Sequence, residues 1–137
     1  MTEYDKLKKS LQHLEQQYAN YLSMNERDNL TNLDKDAISE SVVRRFKPCY
    51  DTSWKHLKKY LEEEVGLVAP NSPKPIFRLA YENSIIEEVE NWFEYAQARI
   101  DTAHDYNEEK FMDTLEKAGD FIWDAIELYK VMTKESW

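Results

Sequence analysis

The chain has 137 residues, a formal net charge of −9, 42% apolar residues and one cysteine. That length fits one compact domain, and the apolar share is enough for a core. The lone Cys49 excludes an internal disulfide and a cysteine-based zinc site, and the acidic balance excludes nonspecific duplex binding, which needs a net basic surface.

Two glycines and four prolines leave few turn formers, so the elements are few and long, which means helices. The first helix is expected from about Thr2 to Met24. Its apolar positions, Tyr4, Leu7, Leu11, Leu14, Tyr18 and Tyr21, recur at alternating spacings of three and four, an amphipathic stripe of heptad type. The opening "MTEYDKLKKSLQHL" is charged and lacks a signal-type apolar core, and no run approaches membrane-spanning length. A cytoplasmic location with no membrane contact is the expectation.

After the polar connection "NERDNLTNLDKD", a second helix is expected to start near Asp34 or Asp36, either of which could cap it. Its stripe is Ile38, Val42, Phe46, Tyr50, Trp54, Leu57 and Leu61, with Gly66 as its stop. Pro48 lies inside this pattern. It lacks a backbone donor and clashes with the carbonyl four residues back, so a kink is expected there. The loop "LVAPNSPKP" leads to Ser72 as cap and Pro73 at the first position of a short helix reaching about Asn83. A fourth helix is expected from about Ile86 through Val89, Trp92, Phe93 and Ala96 towards Ala103. A fifth follows Asn107, carries Phe111, Leu115, Ala118, Ile122, Ile126 and Tyr129, and frays beyond Met132. Gly119 within it suggests close packing. The fold class is therefore all-α, an up-down four-helix bundle with one extra short helix, over residues 1–137. Trp54, Trp92 and Trp123 read as core. Aromatic residues make up 13% of the chain, which points towards an oligomeric interface.

Charge is unevenly placed. Between Glu40 and Lys59 stand Arg44, Arg45, Lys47, Lys55, Lys58 and Lys59 against two acids, a local balance of +4. Such a run is either a solvated helix face or a focused basic cleft for a nucleotide or RNA.

The stretch "ARIDTAHDY" holds Arg99, His104 and Tyr106. Residues five apart on an ideal helix differ by roughly 140° in azimuth, so Arg99 and His104 converge only if the histidine sits at a frayed helix end. Histidine titrates near neutrality and suits a general base on a ribose 2′-hydroxyl. Arginine's forked donors suit a phosphorane. The plainer alternative puts His104 at a helix C-terminus for dipole complementarity, with Arg99 paired to Glu94 or Glu108. Asp101 and His104 form half of a carboxylate-bridged metal pattern without the further ligands it needs. His13 and His56 fall on charged helix faces, and there is no glycine-rich phosphate loop. No metal or cofactor is expected.

The stretch "SVVRRFKPCYDTSWKHLKKYLEEEVG" resembles the second helix of the nucleotidyltransferase substrate-binding family, small helical bundles of the HEPN superfamily. The matching residues are Arg45-Phe46, Tyr50, Trp54-Lys55, Leu57-Lys58 and Tyr60-Leu61. "SPKPIFRLAYENSII" resembles the family's Ser-Pro segment, and "RIDTAHDY" falls where the family carries Arg-x4-His-x-Tyr. The resemblance implies a metal-independent endoribonuclease, the toxin of a pair whose antitoxin is a cognate minimal nucleotidyltransferase. It implies a homodimer in which two motifs line one cleft. Arg99 and His104 would be catalytic, and Tyr106 would receive AMP from the partner. From the basic run, and not from the resemblance, Arg44, Arg45 and Lys55 are the candidates to bind the RNA or nucleotide substrate. The family usually carries a polar residue after the arginine, where this chain has Ile100. The alternative implied is a non-catalytic subunit that presents substrate to the nucleotidyltransferase. A plain helical scaffold is a third possibility.

Overall fold

The computed structural model describes residues 3–104 and 107–137, and of Ala103 and His104 the backbone only. The described residues form five α-helices and no strand: α1 (Asp5–Ser23), α2 (Asn32–Glu63), α3 (Pro73–Glu82), α4 (Val89–His104) and α5 (Glu108–Thr133), with a 3-10 turn at Met24–Glu26. The chain is an up-down bundle of α1, α2, α4 and α5. The short α3 packs on α2 and α4.

The apolar stripes fill the core. Leu7, Leu11 and Leu14 of α1 meet Val42, Phe46, Leu57 and Leu61 of α2, all essentially inaccessible to solvent. At the centre, edge-to-face rings join three helices: Phe46 of α2 and Phe121 of α5 lie 5.2 Å apart, and Tyr95 of α4 stands 5.5 Å from Phe121. Such pairs add specific geometry to area burial. Trp92 is core as expected and Trp54 is half-buried, but Trp123 is 69% exposed. The position of Trp123 in α5 turns its indole away from the stripe formed by Leu115, Ala118, Ile122 and Tyr129.

Helix ends depart from the sequence expectation in ways the caps explain. α2 begins three residues before Lys35, with Thr31 as its cap. The Thr31 hydroxyl accepts from the Asp34 backbone N–H, and the Asp34 carboxylate accepts from the Thr31 N–H, both at 3.0 Å. This reciprocal capping box satisfies two donors at once, so Asp34 is a partner in the cap and not the cap itself. α2 then runs unbroken past Pro48 and ends at Glu63. Gly66 lies beyond it in the left-handed region, φ +82°, where the Leu67 N–H returns to the Leu61 carbonyl. Ser72 precedes α3 but its side chain makes no cap bond, and Pro73 occupies the first position. α4 starts at Val89 instead of Ile86, although Ile86 is buried in the preceding turn. Asn107 does cap α5, accepting from the Lys110 N–H at 3.1 Å.

The C-terminus is held rather than frayed. The Trp137 indole N–H donates to Glu15 of α1 at 3.2 Å, and its ring stands edge-on to Tyr129 at 5.3 Å. Gly119 lets α1 approach α5: a Cβ there would lie 2.5 Å from the Tyr18 hydroxyl oxygen.

Candidate functional site

α2 and α4 carry the candidate residues. Arg99 projects from α4 onto Asp51 of α2. Its Nε donates to Oδ1 and its Nη2 to Oδ2, each at 3.1 Å. This is a two-pronged pair with the planar fit that arginine and carboxylate share. The expected partners Glu94 and Glu108 are not used: Glu94 instead accepts from Lys117 at 3.0 Å. Two of the five guanidinium N–H groups are thus engaged. The outer ones, including both on Nη1, have no partner among the described residues.

Beside this pair lies an open groove of about 500 Å³. Tyr50, Asp51 and Trp54 of α2 form one wall, Pro73 and Lys74 of α3 the end, and Ala96, Arg99 and Ile100 of α4 the other wall. Tyr50 is 2% exposed, and its hydroxyl is buried with no hydrogen-bond partner among the described residues. Burial, first, and then the Asp51 charge push its ionisation well above the ordinary phenol range, with Arg99 opposing. The phenol is therefore held neutral beneath the ion pair. Ile100 is 46% exposed and adds an apolar lip next to the guanidinium.

The other basic residues divide. Measured around an ideal α2 from Asp51, Arg44 lies about 20° away, Lys55 about 40°, Pro48 about 60° and Arg45 about 120°. Arg44 and Lys55 are exposed on the outer face of α2. The Lys55 ammonium sits 6.0 Å over the Trp54 ring, on the groove's rim. Arg45, about a third of a turn round α2 from Asp51, lines a separate groove with Lys6, Lys9 and His13 of α1. The structure thus brings Arg99 and Lys55 to one groove, keeps Arg44 on its outer flank, and removes Arg45 from it.

The catalytic histidine and the modification site of the sequence reading, His104 and Tyr106, lie outside the described side chains. α4 keeps helical backbone as far as His104. The roughly 140° offset of an ideal helix therefore applies between Arg99 and His104 along the backbone. Asp101 is engaged elsewhere, by Gln97 at 3.0 Å and Lys110 at 3.9 Å. Among the described residues no group of three or more His, Cys, Asp or Glu is placed to hold a metal. His56 is not a free surface histidine: its ring nitrogens bond the Thr52 and Glu3 carbonyls, both at 2.9 Å.

Sequence reasoning missed Asp51 as the arginine's partner and Tyr50 as the groove's floor. A signal existed for the first. Asp51 is the lone acid between Lys47 and Lys59, and an isolated acid in a basic run is placed to hold one cation.

A family model described as "Nucleotidyltransferase substrate binding protein like" matches residues 2–134. The chain belongs to this family. Its fold is that of a solved Haemophilus influenzae structure described as the substrate-binding domain of a nucleotidyltransferase, at TM-score 0.82 and 23% identity over 96% of this chain and 99% of that one. A structure from Thermus thermophilus is similar at TM-score 0.67 and 22% identity, over 87% of this chain and 98% of the other. A curated relative, "Probable ribonuclease HepT" of Haemophilus influenzae, is 24% identical over 94 residues. The match spans 66% of this chain and 64% of that relative. The family is HEPN-like, as the residues of α2 and α4 suggested, and the helical architecture follows it. Among the described residues no helix is long and apolar enough to cross a membrane.

Proposed function

We propose that this family member is the toxin of a two-component pair: a metal-independent endoribonuclease acting from a cleft shared by two copies, silenced when a cognate nucleotidyltransferase transfers AMP to Tyr106. The observation that carries the reading is the Arg99 guanidinium, fixed by Asp51 at a groove edge with its outer N–H groups unpartnered among the described residues. A fixed cation aimed at a groove is what a phosphate in a developing phosphorane requires. His104 would take the 2′-hydroxyl proton. A copy of the motif from a second chain would supply an imidazole and guanidinium from another direction, which the offset along one α4 makes necessary. Lys55 and Arg44, exposed beside the groove, would hold neighbouring phosphates. AMP on Tyr106 would add bulk and negative charge at a site that must admit RNA. The family description and the name of the ribonuclease relative support this reading.

A second reading, a non-catalytic subunit presenting substrate to the nucleotidyltransferase, is favoured by one specific feature. Asp51 already neutralises Arg99, and Ile100 beside it offers no polar group to a phosphate. One experiment separates the two. Purified protein is incubated with RNA in EDTA, before and after treatment with partner and ATP. The first reading expects degradation that His104→Ala abolishes. It also expects degradation to stop after AMP addition in the wild type and to continue in Tyr106→Phe. RNA left equally intact by wild type and His104→Ala leaves only the second reading.

A further inference from the structure

We propose that the groove between α1 and α2, separate from the one beside Arg99, is a second phosphate-binding site that grips the backbone of a single RNA strand. The proposal rests on the ribonuclease reading for the identity of the strand, but its evidence is separate. The groove holds about 270 Å³ and is lined by Lys6, Lys9, Ser10, His13, Arg45 and Pro48. No carboxylate lines it, in a chain with 27 acidic residues. Among the described residues no ion pair engages Lys6, Lys9 or Arg45, whereas Lys58, Lys59, Lys110, Lys117 and Lys130 each have a carboxylate partner. The sequence keeps acids off this face over several turns. On α1 the residues at helical spacing are Lys6, Lys9, Ser10, His13 and Gln17. On α2 they are Ser41, Arg45, Pro48 and Thr52.

Cations gathered around a concavity that no carboxylate lines, with no ion pair among the described residues, favour an anionic occupant. A polynucleotide fits better than a single small anion because the two grooves are linked. Arg44 and Lys55 stand exposed on the α2 face between them, so basic groups continue from the Arg99 groove over the outer ridge of α2 to Arg45. A strand leaving the first groove meets the exposed cations Lys55, Arg44 and Arg45 in turn. Tyr50 and Trp54 line the first groove, whereas among the described residues no Phe, Tyr or Trp lines the second, which would hold backbone rather than stacked bases.

The test uses a fluorescein-labelled 2′-O-methyl oligonucleotide of about ten nucleotides, which binds but has no free 2′-hydroxyl to attack its own backbone. Anisotropy gives the Kd at several salt concentrations for the wild type, Lys6→Gln/Lys9→Gln/Arg45→Gln, Arg45→Gln alone, and the charge-keeping Lys6→Arg/Lys9→Arg/Arg45→Lys. At about 0.7 per phosphate contact for single strands, the triple neutral variant should lower the salt slope by about 2 and weaken binding about tenfold or more at low salt. Arg45→Gln should lower the slope by about 0.7, and the charge-keeping variant should match wild type. Unchanged Kd and slope in the neutral variants overturn the proposal, as does a wild type that does not bind the oligonucleotide. Salt-dependent binding lost in the triple variant, by a wild type that leaves ordinary RNA intact, keeps the groove and removes the ribonuclease reading instead.

Discussion

Tyr50 shows how one side chain can serve a site at a cost to the fold. Its ring packs on Phe46, Phe77 and Phe121, while its buried hydroxyl has no partner among the described residues. A desolvated, unsatisfied hydroxyl costs about 1–3 kcal/mol. Tyr50→Phe keeps the ring and removes the orphan group. It should raise unfolding free energy by about 1 kcal/mol, read from the urea midpoint at unchanged slope. A lower midpoint would mean that the hydroxyl makes a bond the described residues do not reveal. Residue-scale partners were the least legible part of the sequence. Arg99 and Asp51 are 48 positions apart, and only the packing of α4 across α2 brings them together. Trp123 failed for a related reason: it falls among apolar residues in sequence, but helical spacing sends it outward.

At the scale of elements, most of the architecture could be read in advance. The stripes in α1, α2 and α5 each predict the buried face, because burial of a helix requires apolar residues at spacings of three and four. Boundaries were less legible, since they depend on side chains bonding to backbone. "TNLD" contains the α2 capping box, but Asp34 and Asp36 are equally good caps by residue type. Pro48 is different: α2 continues through it, as its unbroken apolar stripe led one to expect, because Val42, Phe46, Cys49, Tyr50 and Ser53 are buried on both sides. Packing therefore outweighs the lost N–H and the clash with the Arg44 carbonyl, a penalty of about 3 kcal/mol in a helix interior. Pro48→Ala should restore that hydrogen bond and stabilise the protein by about 1–3 kcal/mol. Thermal melting followed by circular dichroism tests this, and an unchanged or lower midpoint would show that the local backbone is already relaxed around the ring.

For the whole molecule, ionisation of the interior governs behaviour in alkali. Burial pushes the Cys49 thiol up to about 12, with hydrogen bonds from Ser10 and Ser53 opposing. Burial likewise raises Tyr4, Tyr50 and Tyr95, the last also through its hydrogen bond to Asp124. These groups remain protonated in the folded chain at pH values where the unfolded chain has lost the proton. Their contribution is intact below the unfolded values, near 9–10, and is lost as pH rises towards the folded ones. Stability should fall progressively above about pH 9, by about 1.4 kcal/mol per pH unit for Cys49 alone. Urea midpoints across about pH 7 to 11 check this. A flat profile would show that the interior admits water to these groups.

α2 is a single helix of 32 residues, roughly 48 Å from end to end. Asp51, which positions Arg99, and Arg45, in the other groove, sit less than two turns apart on that one rod. Neither can shift along it without the other. A polymer spanning both sides would be held at a set pitch, and α2 would act as a ruler that fixes which linkage lies against the guanidinium.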